Sequence, residues 1–160
     1  MGAIERLIQQ KQFKNEHEKA IVGLLYSANF VTSSQQDAFK NFGITHQQFN
    51  ALRILRGQYP NPANLNLIKD RLIDRNSDVS RLIERLRLSG FVERVTCPND
   101  RRSVDVKITE KGLAVLAEID KANETLFTTE LMPLSQKELI EFNALLDKLL
   151  TAYEQRLKVA

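Results

Sequence analysis

Cysteine is nearly absent: a single thiol, Cys97, in 160 residues rules out an internal disulfide. The two histidines, His17 and His46, are too few and too isolated to gather the three or four ligands a zinc centre needs. His46 falls in the first turn of an expected helix and is expected to be an exposed polar residue. No apolar run reaches the length of about 18 residues that crosses a bilayer, and nothing resembles a secretion signal. The expectation is a reduced, cytoplasmic protein with no metal and no membrane contact. There is no glycine-rich phosphate loop, no nucleophile–base–orienter set and no carboxylate pair with acid–base logic, so neither an enzyme nor a cofactor is expected. Low-complexity tracts and internal repeats are missing as well.

Lysine is missing where arginine is densest. Between Arg71 and Arg102 stand eight of the twelve arginines (71, 75, 81, 85, 87, 94, 101 and 102) and no lysine. Arginine stays charged at every physiological pH, and its planar fork of donors matches phosphates and the guanine edge. The formal net charge is only +3, and the stretch from Arg71 to Lys111, with ten basic and seven acidic residues, accounts for all of it (10 − 7 = 3). A basic centre between balanced flanks suggests that one segment meets a polyanion while the rest does something else. With 42% apolar and 27% charged residues the chain has an ordinary globular composition, and 160 residues suffice for one good core or for one DNA-binding lobe plus an extension.

Apolar spacing predicts helix over about Ile4 to Val31, with a bend or break in the polar stretch between Lys11 and Lys19. Ser33-Ser34 can cap a short separate helix through Phe39 and Phe42 to Gly43. Thr45 and Gln48 form a capping box, with Ile44 and Phe49 at the staple positions, opening a helix that runs to Gly57. Tyr59-Pro60-Asn61-Pro62 is an enforced loop. A short helix from about Leu67 to Ile73 and a turn at Asp74-Arg75-Asn76 lead into a helix from Ser77 to Leu88. On it Val79, Leu82, Ile83 and Leu86 lie within about 50° of one direction, with Ser77, Ser80, Arg81, Glu84 and Arg85 opposite. Ser89-Gly90 ends it. Phe91 to Val95 and the alternating Val104, Val106 and Ile108 predict two strands joined through a polar tip, Thr96 to Arg102. Thr109 caps a helix carrying Leu113, Leu116, Ile119 and Leu126. Ser135 and Glu138 box the last helix, whose broad stripe (Leu139, Phe142, Leu145, Leu146, Leu149, Leu150, Tyr153, Leu157) wants a partner helix.

Two helices joined by a tight turn and followed by a hairpin make a winged helix-turn-helix, a mainly α fold with a small β-hairpin wing. The second helix can lie in the major groove while the arginine-tipped hairpin enters the minor groove. An amphipathic helix with a charged outer face has a plain surface reading, but Asp-Arg-Arg at a loop apex weakens it. The segments Asn76-Ser77-Asp78-Val79-Ser80-Arg81-Leu82-Ile83-Glu84-Arg85-Leu86, Ser89-Gly90-Phe91-Val92-Glu93-Arg94, Asp100-Arg101-Arg102-Ser103 and Ile108-Thr109-Glu110-Lys111-Gly112 strongly resemble the MarR family of bacterial transcriptional regulators. The resemblance is close over about Thr45 to Gly112; the outer helices agree in placement only.

The resemblance implies a homodimer in which residues 1–34 and 113–160 form an intertwined helical dimerisation region and residues 35–112 the winged DNA-binding lobe. Two lobes then face a palindromic operator, with helix 77–88 in the major groove and wing 94–104 in the minor groove. By that resemblance Arg102 is the minor-groove arginine and Asp100 orients it. Asn76, Ser77, Ser80 and Arg81 face the major groove, while Arg85 and Arg101 meet phosphate. The seam of the dimer is expected at Leu139, Phe142, Leu146, Leu149, Leu150 and Tyr153. A small amphipathic or phenolic effector is implied, with no residues assigned to it. Asp78 is expected to favour the helix dipole, with acceptance from cytosine as the other reading. Two other functions are open: a winged-helix protein-interaction scaffold without DNA binding, and a regulator switched by oxidation of Cys97. Against the latter, family members that sense oxidants place the cysteine in the first helix beside tyrosines, where this chain has none.

Overall fold

A computed structural model describes residues 2–74, 76–96, 104–122 and 131–159. In chain order the elements are α1 (Ala3–Leu7), α2 (Glu16–Lys40), α3 (His46–Arg56), β1 (Ala63–Asn64), α4 (Leu65–Arg71), α5 (Val79–Leu88), β2 (Val92–Thr96), β3 (Val104–Ile108), α6 (Glu110–Ala122) and α7 (Gln136–Val159). They divide into two compact units, Met1–Ala122 and Asn123–Ala160. The sequence-based divisions at 34/35 and 112/113 fall inside α2 and α6. No helix among the described residues is long and apolar enough to cross a membrane.

The expected break before α2 is present. Asn15 accepts a hydrogen bond from the Glu18 N–H at 2.9 Å and so starts α2, and Lys19 pairs with the nearly covered Glu5 of α1 at 2.8 Å. The separate helix expected from Ser33-Ser34 does not form, because α2 runs unbroken to Lys40. Its hydroxyls are satisfied along the helix instead: Thr32 Oγ1 donates to the Ala28 carbonyl at 2.8 Å and Ser34 Oγ to that of Phe30 at 3.0 Å. The box at Thr45 and Gln48 closes as read, with reciprocal bonds of 2.8 and 3.2 Å. Ile44 and Phe49 are both buried.

The core of the first unit gathers Phe39 of α2, Leu52 and Leu55 of α3, Ile68 of α4, Ile83 and Leu86 of α5, Val106 of β3, and Leu116 and Ile119 of α6, all essentially sealed from solvent. Phe39 stacks on Phe49 with ring centroids 4.4 Å apart. Val106 and Ile108 point into this core while Asp105 and Lys107 are half-exposed, the alternation expected of a one-sided strand. Among the described residues the sheet has three antiparallel strands in the order β1-β3-β2, with Ala63 opposite Val106 and Val92 opposite Ile108. The strand β1 was not expected. Its two residues offer no alternation to detect, and the prolines before it signal only a loop.

Two helix starts differ from expectation. Asn64 accepts from the Leu67 N–H at 2.8 Å, so α4 opens at Leu65 rather than Leu67. Likewise α5 opens at Val79, not Ser77, because Asp78 is its N-cap and accepts from the Arg81 N–H at 3.1 Å. The structural reading of Asp78 is thereby the one the geometry supports. Replacing Asp78 by alanine is expected to cost about 1 kcal/mol of stability, readable as a fall of roughly 2–4 °C in Tm. In the second unit Ser135 and Glu138 box α7, with bonds of 2.8 Å from the Ser135 N–H and 2.7 Å from its hydroxyl to Glu138 Oε2.

Candidate nucleic-acid interface

The second helix of the helix-turn-helix, α5, presents one apolar and one polar face. Val79, Leu82, Ile83 and Leu86 are buried, which commits Ser80, Arg81 and Arg85 to solvent. Its acidic outer residue, Glu84, is engaged. It takes a two-point grip from Arg87 (Nε at 3.0 Å, Nη2 at 2.7 Å) and a third contact from Arg94 of β2 at 3.1 Å. The Arg87 hydrogen bonds and charge, with that of Arg94, hold the Glu84 carboxyl below the usual carboxylate range. Two of the eight arginines thus share one carboxylate at the α5–β2 corner. Arg81 and Arg85 form no ion pair among the described residues and keep their forks open.

The turn before α5 is organised by a residue to which the sequence assigned no role. Asp74 Oδ1 accepts from the Asn76 N–H at 3.0 Å, and Oδ2 accepts from Ser77 Oγ at 3.0 Å and from Gln47 Nε2 of α3 at 2.9 Å. These bonds, the Asn76 backbone N–H foremost, hold the Asp74 carboxyl below its ordinary range. Asn50 of α3 adds an acceptor for the Ile73 N–H at 3.0 Å. The start of α5 is therefore tied to α3 by side chains rather than by backbone pairing. The available signal was the Asp-x-Asn-Ser spacing, which permits an Asx turn, but nothing in the sequence pointed to Gln47. A cleft of about 290 Å³ lies here, lined by Gln47, Asp74, Asn76, Ser77, Asp78, Arg81, Leu82 and Arg85.

The far end of α5 is clamped as firmly. Gly90 takes φ +76°, a conformation that favours glycine, and lets the Phe91 N–H reach back to the Leu86 carbonyl at 3.0 Å. From the next helix Thr109 Oγ1 donates to the Gly90 carbonyl at 2.8 Å, and Lys111 Nζ to that of Ser89 at 2.8 Å. The Lys111 ammonium also lies over the Phe91 ring, 5.1 Å from its centroid. Thr109 Oγ1 accepts in turn from the Gly112 N–H at 3.2 Å, capping α6 as expected.

Of the expected DNA-facing residues, Asn76, Ser80, Arg81 and Arg85 are exposed around α5 and its preceding turn, and Ser77 is half-buried against Asp74. Asp100, Arg101 and Arg102, with Cys97 and most of the expected tip, lie outside the described residues, as does Leu126. On α7, Leu149, Leu150 and Tyr153 are exposed and Leu139, Phe142 and Leu146 half-buried. His46 departs from its expectation. It is half-buried with its ring 6.0 Å from that of Phe39, and burial lowers its pKa.

Comparison with known proteins follows the same lines. A model of the MarR family matches residues 44–104. The chain is 28% identical over 117 residues to the HTH-type transcriptional regulator MgrA of Staphylococcus aureus, covering 73% of this chain and 77% of that one. Among solved structures, a MarR transcription factor from Planctomyces limnophilus is 30% identical, with a TM-score of 0.66 over 85% of this chain and 98% of that one. A second, Bordetella bronchiseptica BpsR, was solved in connection with regulation of its DNA binding by 6-hydroxynicotinic acid. It is 26% identical, with a TM-score of 0.72 over 82% of this chain and 98% of that one.

Proposed function

Because this chain belongs to the MarR family of transcriptional regulators, we propose that it is a sequence-specific DNA-binding repressor acting as a homodimer on a palindromic operator. In this reading α5 enters the major groove with Asn76, Ser77, Ser80 and Arg81 toward base edges. Arg85 and Arg101 meet phosphate, and wing 94–104 carries Arg102, oriented by Asp100, into the minor groove. The observation that carries it is the outer face of α5, where Arg81 and Arg85 stand open while nearby Arg87 and Arg94 are spent on Glu84.

Dimerisation is supported by apolar side chains left in water. Ile21, Leu25 and Phe30 of α2 are each about 60% exposed, and on α7 Leu145, Leu150 and Leu157 are similarly uncovered. Long helices that display this much apolar surface gain stability from a second copy. Residues 1–34 and 113–160 supply that dimerisation region in this reading, holding two recognition helices about one DNA turn apart, roughly 34 Å. Control by a small amphipathic or phenolic effector fits the precedent of BpsR and 6-hydroxynicotinic acid.

Selection of bound fragments from the source genome, followed by gel-shift titration, tests the function directly. Arg102→Ala and Arg81→Ala are each expected to weaken the selected site by about 1–3 kcal/mol, and affinity should fall steeply with salt. An Arg102→Ala variant with unchanged affinity would remove the minor-groove assignment. Salt-insensitive behaviour with no retention on DNA would leave a protein-interaction scaffold instead.

A further inference from the structure

Hydrogen-bond polarity at the start of α5 is set by one carboxylate. An ionised Asp74 can only accept, so whatever touches it must donate. That requirement settles the orientation of two ambiguous neighbours. The Gln47 amide must turn its Nε2 toward Asp74 Oδ2 (2.9 Å), which leaves Oε1 facing away. The Ser77 hydroxyl must spend its only hydrogen on the same oxygen (3.0 Å), which leaves its lone pairs as its sole remaining capacity. Both side chains line the cleft beside Arg81 and Arg85, whose guanidinium groups only donate. The Ser77 hydroxyl oxygen and Gln47 Oε1 are thus acceptors set beside two arginines that only donate.

Resting on the docking of α5 described above, we propose that Asp74 is a positioning residue that fixes base preference. By accepting from Ser77 and Gln47, it leaves the Ser77 hydroxyl only its lone pairs and turns the Gln47 amide so that Oε1 faces away from it, and these two oxygens accept from the exocyclic amino groups of adenine or cytosine in the major groove. Those are the amino donors that base edges present in that groove; guanine and thymine offer acceptors there. Asp74 itself touches no base. A neutral amide in its place can donate to Ser77 Oγ, which frees the serine hydrogen to rotate and to meet acceptor edges as well.

The test is selection from a random-sequence duplex pool by wild type, Asp74→Asn and Gln47→Ala, followed by fluorescence anisotropy on the wild-type-selected duplex and a scrambled one. The wild-type motif should demand adenine or cytosine at one or two positions per half-site. Asp74→Asn should lose that demand there and keep the positions set by arginine. Its affinity should fall about tenfold on the selected duplex and stay within twofold on the scrambled one. Gln47→Ala, an exposed position whose loss leaves the core intact, should relax one of the same positions. A general folding defect would weaken both duplexes alike, and that result overturns the proposal, as does an unchanged motif in both variants. Failure of wild type to enrich any motif would defeat the proposed function, and this inference with it.

Discussion

Introducing aspartate at both Leu149 and Leu150 is expected to lower operator affinity by about 10²–10⁴-fold and to convert the proposed dimer to monomer. The size of the effect follows from linkage: once one lobe is bound, a tethered second lobe meets its half-site at high effective concentration, and that advantage alone spans about two to four orders of magnitude. The two leucines are well suited to isolate it. They are 43% and 60% exposed in the single chain, so a carboxylate at either position stays in water while the protein is monomeric. In an intertwined dimer the same carboxylates would be buried without partners, which is strongly unfavourable. Sedimentation velocity at micromolar concentration reads the assembly, and anisotropy on the selected duplex reads the affinity. A variant that stays dimeric would show that the seam lies elsewhere on α7. One that becomes monomeric and still binds at full strength would show that the lobes act singly.

The second large effect is expected at Gly112, near the start of α6. A Cβ at this position would lie 2.7 Å from Ile108 Cγ1 and closer still to the Phe91 carbonyl oxygen, so even a methyl group forces backbone to move. Gly112→Ala is expected to cost about 3 kcal/mol, at the upper end of what overpacking usually costs, and to lower Tm by roughly 6–12 °C. Gly57→Ala is the matched control. Its Cβ would meet nothing nearer than 3.4 Å, and it should leave Tm almost unchanged. Thermal unfolding followed by circular dichroism distinguishes the two, and equal Tm values for both variants would contradict the close approach.

Legibility from sequence followed the range over which each signal acts. The caps at Thr45, Thr109 and Ser135 depend on residues within one turn, and they form as read. The buried face of α5 follows from helical period alone. Ser33-Ser34 has the chemistry of a cap, yet it sits in an unbroken helix, where the Ser34 hydroxyl bonds back to the Phe30 carbonyl. α5 starts two residues later than helical periodicity suggests, because Asp78 caps it while the Ser77 side chain is engaged by Asp74. Gln47 and Asp74 are 27 positions apart, and β1 and β3 more than 40, distances over which no local pattern carries information. Arg87 and Arg94 count toward the basic stretch with the same weight as Arg81, and only the fold reveals that both are engaged by Glu84.

The bonds from Thr109 and Lys111 to Ser89 and Gly90 weld the tail of one helix to the head of the next. Ten residues of α5 project from that joint, a rigid arm of about 15 Å at the helical rise. Tilting α6 by about 10° with the weld intact would sweep the opposite tip of the arm through roughly 2–3 Å, whereas hydrogen bonds tolerate only a few tenths of an ångström. A small swivel at the pivot would therefore be enough to unseat all the base contacts proposed for α5 together, with the lobe turning as one piece.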